Sequence, residues 1–383
     1  MARTPAYLDY NASAPLLDSA RSALVSALAA DANPSSVHRA GKAARRVIED
    51  ARRQVAALVG ASAEHVVFTS GATEAAATLL TPDWRMGRAP LTCSHLYVLS
   101  TDHPCMLAGG RFPAGKVTRL PVGPDGLADM TAMRRALEAH DAETGLPLVA
   151  LHAANNETGV LQPLDAVRAL VAEAGGVLVV DAVQAAGRVS IDMAAGYADF
   201  LILSAHKLGG PRGVGAFVAR EGLLMPEPLI RGGGQERGHR AGTENAAGIA
   251  GFGAAAEEAG RALPHMADVK ALRDRFEARL EEIAPGAVIH GRSAPRIANT
   301  SFFSLPGIKA ETAQIALDLE GLQVSAGSAC SSGKVGPSHV LEAMGADAAL
   351  GALRVSIGRA TAWEELERLL EAIGILLARR KAA

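Results

Sequence analysis

The order of apolar runs along the chain predicts an α/β fold, with a large domain on a mainly parallel sheet and a smaller α+β domain after it. Three observations carry this reading. Short apolar runs alternate with longer helical patterns, as strand–helix–strand crossovers produce. The runs are apolar at every position rather than at every second one, which marks strands buried on both faces. Past Gly251 the alternation gives way to a long charged helix and a few isolated strands.

In chain order, the runs are Val66-Val67-Phe68, Leu96-Tyr97-Val98-Leu99, Leu148-Val149-Ala150-Leu151, Val177-Leu178-Val179-Val180, Phe200-Leu201-Ile202-Leu203 and Val214-Gly215-Ala216-Phe217-Val218. Residues 40–58, 130–140 and 164–174 between them carry the 3.6-residue apolar spacing of helices. In the second part, residues 266–283 read as a charged helix, 299–304, Val324 and 353–357 as strands, and 363–379 as a closing helix. The boundary falls after residue 255, giving a large domain over 15–255 and a small one over 1–14 and 256–383.

Composition excludes several classes of function. Lys plus Arg number 38 against 40 Asp plus Glu, so no overall field draws nucleic acid or an anionic membrane. No apolar run approaches the ~20 residues that cross a bilayer, and the N-terminus lacks a charged head before an apolar stretch. A cytoplasmic protein acting on a small molecule is the expectation. The 3 cysteines, Cys93, Cys105 and Cys330, show no C-x-x-C spacing, so neither a disulfide framework nor a zinc site is expected. Cys93 and Cys105 read as small buried hydrophobes. The 11 histidines show no H-E-x-x-H or comparable spacing, and no metal is expected.

Parallel sheets bind ligands beyond the carboxyl ends of their strands, so the residues that follow each run matter most. Thr69-Ser70-Gly71-Ala72-Thr73-Glu74 opens a helix whose free N–H groups and Thr73 hydroxyl suit a phosphate, although a plain capped helix needs the same residues. Asp181-Ala182-Val183-Gln184 puts a carboxylate at the end of an apolar strand, where it needs a partner. A protonated pyridine nitrogen would serve, with Gln184 donating to the ring's phenolic oxygen; an N-cap role for Asp181 is the alternative. Ser204-Ala205-His206-Lys207 sets a lone lysine between phosphate-capable donors, where a lowered pKa would suit Schiff-base formation. Asn155, in Asn155-Asn156-Glu157-Thr158-Gly159, flanks the same cleft or simply builds a turn.

Taken together, Asn33-Pro34-Ser35-Ser36-x-His38, Ser70-Gly71-Ala72-Thr73-Glu74, the Asn155 motif, Asp181-x-x-Gln184, Ser204-x-His206-Lys207, Gly242-Thr243-Glu244-Asn245 and Gly327-Ser328-Ala329-Cys330 resemble the NifS/IscS-type cysteine desulfurases, in this order and over nearly the whole chain. The resemblance implies a fold-type I pyridoxal 5'-phosphate enzyme of the class V aminotransferase group, with a seven-stranded sheet and a homodimeric assembly. It implies that Lys207 holds the cofactor, Asp181 pairs with its ring nitrogen, Gln184 contacts its phenolic oxygen and His103 stacks on the ring. Ala72, Thr73, Ser204 and His206 would line the phosphate site, with Thr243 reaching it from the neighbouring subunit. Asn155 and Arg354 would clamp the carboxylate of L-cysteine, Lys207 would move the Cα proton, and Cys330 would take the sulfur as a persulfide for an acceptor protein, leaving L-alanine. The Cys330 loop resembles the long-loop subgroup.

Three departures from that pattern stand out. Asp102-His103-Pro104-Cys105 replaces the commoner Glu-His with a small or apolar pair, Ala75-Ala76-Ala77 follows Glu74 where Asn is common, and the tail after Arg354 is short beside members that dock on iron–sulfur scaffolds. A class V aminotransferase, which needs no Cys330, and a selenocysteine lyase are the alternative readings.

Overall fold

Residues 4–29, 32–327 and 338–382 are described by the computed structural model. The strands that position the site are β1 (Val66–Thr69), β2 (Ala89–Leu99), β3 (Val117–Leu120), β4 (Leu146–His152), β5 (Val177–Asp181), β6 (Phe200–Ser204) and β7 (Gly215–Ala219). They lie in the order β3–β2–β4–β5–β6–β7–β1. Pairing is parallel from β3 through β6, and β7 runs antiparallel to both β6 and β1. Apart from β7, every strand therefore ends on the same edge. Two more strands, Asp83–Met86 and Leu224–Pro226, attach through the first half of β2, so nine strands share this sheet among the described residues.

β5, β6 and β7 are buried at every residue because helices cover both faces. The helices are α1 (Asp18–Leu28), α2 (Arg39–Leu58), α3 (Ala72–Leu79), α4 (Met130–Glu138), α5 (Leu164–Glu173), α6 (Ala246–Ala262), α7 (Met266–Ile283), α8 (Ala310–Leu319) and α9 (Trp363–Ala382). α2 starts where His38 Nδ1 accepts from the Gly41 N–H, and it buries Ala44, Ile48, Ala51 and Val55 along one stripe. α6 crosses α2 so closely that a Cβ on Gly253 would stand 2.5 Å from Ala51 Cα. Only glycine permits that approach.

The expected boundary at residue 255 falls inside α6, and this corrects the sequence reading. Ala256 and Ala259 still pack in the sheet core, and the chain leaves the large unit only at Leu263–His265, where Pro264 cannot continue the α-helical ladder. A second core gathers Phe276, Phe303, Leu317, Val355, Leu366 and Ile373 with Ala6 and Leu8 from the N-terminus. Ala6 and Tyr7 pair in parallel with Leu322 and Gln323, which ties the chain's start to this smaller unit.

The glycine-rich stretch 232–245 is pinned to the sheet at one point. Glu236 and Arg237 both hold left-handed backbone, at φ 46° and 57°, a conformation that costs a non-glycine residue free energy. A bidentate pair between Glu236 and the buried Arg52, at 2.7 and 2.8 Å, offsets that cost, and Glu236 also accepts from the Phe68 N–H at 2.8 Å. Arg52→Met leaves the Glu236 carboxylate buried without its cation. A loss of about 3 kcal/mol is expected in urea denaturation, and an unchanged midpoint would show that this contact does not anchor the loop.

Candidate active site

At the shared edge of the strands lies a cavity of about 500 Å³, lined by Ala72, Thr73, His103, Asp181, Gln184, Ser204, His206 and Lys207. These residues come from four separate strand ends, so the topology rather than sequence proximity brings them together. A second cavity, of about 520 Å³, abuts Lys207 from the side of α6 and α7, but Asp181, Thr73 and Ser204 do not line it.

Lys207 follows β6 directly, and its Nζ donates to the carbonyls of Asn11 and Ala12 at 2.5 and 2.9 Å. Asp181 ends the neighbouring strand β5, also lines the cavity and accepts from the Val183 N–H at 3.0 Å. Burial raises its proton affinity most; the Val183 bond and the nearby His103 pull the other way. A carboxylate so placed calls for a cationic or protonated partner. His206 is pushed down to about 4 by burial and by Lys207 and Arg212, so it is a neutral donor or acceptor at physiological pH.

α3 begins at Gly71, with no side chain capping its first turn, so its leading N–H groups open toward the cavity. Glu74 accepts from the Ser70 N–H at 2.8 Å and pairs with Arg240 at 3.0 Å, which ties this turn to the 232–245 stretch. Burial alone would raise the Glu74 carboxyl, but the bonds from Arg240 and Ser70 outweigh it and hold it below the ordinary value. The leading N–H groups of α3, Thr73, Ser204 and His206 supply the cavity with donors suited to an anion, and Asp181 supplies a buried carboxylate, so the lining fits a pyridine ring that carries a phosphate and an aldehyde, with Lys207 as the amine.

Not every expected residue lines this space. Asn155 is buried, and its Oδ1 accepts from the Glu157 and Thr158 N–H groups while its Nδ2 donates to the Thr101 carbonyl. Its side chain thus holds its own turn, because an Asn at the first position of a turn bonds its own backbone readily, and Asn156 is the neighbour that faces the cavity. Gln184 lines the cavity but directs Nε2 to the Asn11 carbonyl at 3.0 Å and Oε1 to Arg188. Arg354 is buried; it bonds Asp9 at 2.7 Å and the Asn156 carbonyl at 3.0 Å. Thr243 is exposed on the 232–245 stretch, outside its own chain's cavity, and Cys330 lies outside the described residues.

Sequence reasoning gave no role to Asn11, Asp102, His152 or Asn156, although His152 is the first polar residue after the run Leu148–Leu151, at one of the strand ends it considered. Cys105, expected as a buried hydrophobe, instead lines the cavity with its sulfur 3.1 Å from His103 Nδ1. Its thiol is raised chiefly by burial, and that of Cys93 is pushed up to about 12 by burial alone. Ala75 and Ala76 are fully buried against the sheet. Among the described residues, no group of His, Cys, Asp and Glu could hold a metal ion, and no helix is long and apolar enough to cross a membrane.

Comparison with known proteins agrees with this geometry. The profile of the family "Aminotransferase class-V" matches residues 6–369. A cysteine desulfurase of Cereibacter sphaeroides is 42% identical over 376 residues, covering 96% of this chain and 94% of its own. The X-ray structure of a NifS-like protein from Rickettsia africae superposes with a TM-score of 0.87 at 27% identity, over 98% of this chain and 99% of the other. A third protein, SspA in complex with cysteine, has a TM-score of 0.73 at 28% identity, over 92% and 98%. With a match that runs almost from end to end, the chain belongs to the class-V aminotransferase family, among the cysteine desulfurases of the NifS and IscS type.

Proposed function

We propose that this chain is a cysteine desulfurase that binds pyridoxal 5'-phosphate in the strand-end cavity, converts L-cysteine to L-alanine and carries the sulfur away on Cys330. The observation that carries the reading is the cavity itself, which brings together Lys207, Asp181 and an uncapped helix start. Cysteine bound in the related SspA structure supports the choice of substrate.

When bound, the cofactor supplies an electron sink for the bonds at the substrate's Cα. The chain's residues do the rest. Asp181 would hold a proton on the ring nitrogen, and His103, on the cavity wall, would contact the ring. Ala72, Thr73, Ser204 and His206 take the phosphate, together with Thr243 from the second copy of a homodimer. Lys207 holds the cofactor, then removes the Cα proton with its freed amine. Arg354 receives the substrate carboxylate, and Asn155 contributes from behind by fixing the turn whose Asn156 carbonyl holds the guanidinium. The Cys330 thiolate attacks the substrate sulfur, so an S–S bond forms as the S–Cβ bond breaks and leaves its electron pair with the carbon fragment. Proton return then completes alanine. We place the enzyme in the cytoplasm, with a sulfur-acceptor protein as its partner.

Incubation with L-cysteine tests this directly. Alanine is expected in solution, and peptide mass spectrometry is expected to find one added sulfur, removable by thiol, on the Cys330 peptide. Alanine without that mass would mean that the sulfur leaves without passing through Cys330.

A further inference from the structure

Gln162 is buried, and two backbone groups fix the direction of its carboxamide. Its Oε1 accepts from the Ala128 N–H at 2.9 Å, and its Nε2 donates to the Gly126 carbonyl at 2.9 Å. Turning the amide over would set N–H against N–H and oxygen against oxygen. The NH2 end is therefore the one that meets His152 Nε2, at 3.1 Å. A ring nitrogen that accepts this bond carries no proton, so the proton of His152 sits on Nδ1 and points at Asp102 Oδ1, 2.5 Å away. Asp102 is fully buried and accepts two further bonds, from the N–H groups of His152 and Leu99, the acceptor-only pattern of a carboxylate.

This chain of bonds ends at the cofactor cavity. His152 stands opposite Asp181 in the register of β4 and β5, and both line the cavity. The other titratable groups at this end are His103, whose Nδ1 accepts from the Cys105 N–H at 3.2 Å, and the Cys105 thiol. Burial is the main cause of Asp181's raised proton affinity, and the charge of Asp102 adds to it.

We propose that Gln162, His152 and Asp102 are positioning residues that lock His152 as a neutral imidazole, so that the Asp181 carboxylate on the cavity wall has the buried Asp102 carboxylate behind His152 and no imidazolium between them. That arrangement favours a cationic, protonated ring nitrogen over a neutral one. It rests on the reading of the cavity as a pyridoxal-phosphate site, but the state of His152 is a property of the chain alone.

The test begins with cofactor-free protein carrying 15N-histidine, the His152 signals being identified by their loss in His152→Asn. NMR is expected to show a neutral ring with its proton on Nδ1 and none on Nε2 at neutral pH. Gln162→Glu, which turns the donor into an acceptor, is expected to move His152 to the imidazolium signature. The same variant and Asp102→Asn are expected to weaken pyridoxal phosphate binding about tenfold, the equivalent of one unit of proton affinity, and Asp102→Glu to regain part of the loss. An Nε2-protonated or charged His152 in the unaltered protein overturns the proposal, as do folded variants that bind the cofactor with unchanged affinity. If the unaltered protein takes up no pyridoxal phosphate, the functional reading and the role toward the ring both fall, and the His152 tautomer alone judges the relay.

Discussion

Lys207→Ala is expected to lower cysteine turnover by about 10⁴-fold, because one side chain both holds the cofactor and moves the substrate proton, and general bases alone are worth about 10² to 10⁴. The fold should survive. Lys207 Nζ bonds the loop carbonyls of Asn11 and Ala12, and its removal leaves the strand-end wall of β6 intact. Native mass spectrometry is then expected to show the cofactor bound noncovalently, held by the cavity's anion-suited donors and Asp181, while borohydride reduction no longer fixes it to the protein. Small primary amines added at high concentration should restore a fraction of the turnover by standing in for the missing Nζ. Turnover within tenfold of the unaltered enzyme would mean that another group moves the proton, and the assignment of Lys207 would fail.

The parts of this site that were legible in the sequence are those governed by local rules. β5 and β6 announce themselves because burial on both faces requires unbroken apolar runs, and Asp181 and Lys207 are conspicuous as the first polar groups after them. β3 escaped notice because Val117-Thr118-Arg119-Leu120 lies at the margin of the sheet beside β2, where Thr and Arg are tolerated and no apolar run forms. α6 was hidden for a different reason. Gly248, Gly251 and Gly253 weaken its helical signature, and the contact with Ala51 of α2 that requires Gly253 is a tertiary fact. Long-range pairings were least visible. Asp102 meets His152 across 50 residues of sequence and Arg52 meets Glu236 across 184, distances over which no periodicity speaks. Asn155 shows the opposite failure: its turn chemistry was readable, but the motif resemblance assigned its side chain to a ligand.

Cys330→Ser separates the desulfurase from every alternative chemistry on the same scaffold. Oxygen replaces a far better nucleophile, so persulfide formation and cysteine-dependent sulfide release are expected to drop by about 10³-fold or more, while cofactor binding stays unchanged. The chain on either side of residues 328–337 is fastened beside the site, so the substitution has no obvious route to the fold. On one side, the Gly327 N–H donates to the Ala352 carbonyl at 2.8 Å and Ser325–Ala326 pairs with Leu353–Ser356. On the other, Ser338 Oγ donates to Glu157 at 2.6 Å and His339 Nε2 lies 3.0 Å from the Asp102 carbonyl, one residue from His103 on the cavity wall. Neither other cysteine can substitute readily, since burial raises the thiols of both Cys93 and Cys105 and so lowers their thiolate fraction. Sulfide release that survives Cys330→Ser undiminished would refute the sulfur-accepting role. Loss of sulfide with retained exchange of amino groups would reveal a transaminase that uses Lys207 and Asp181 alone.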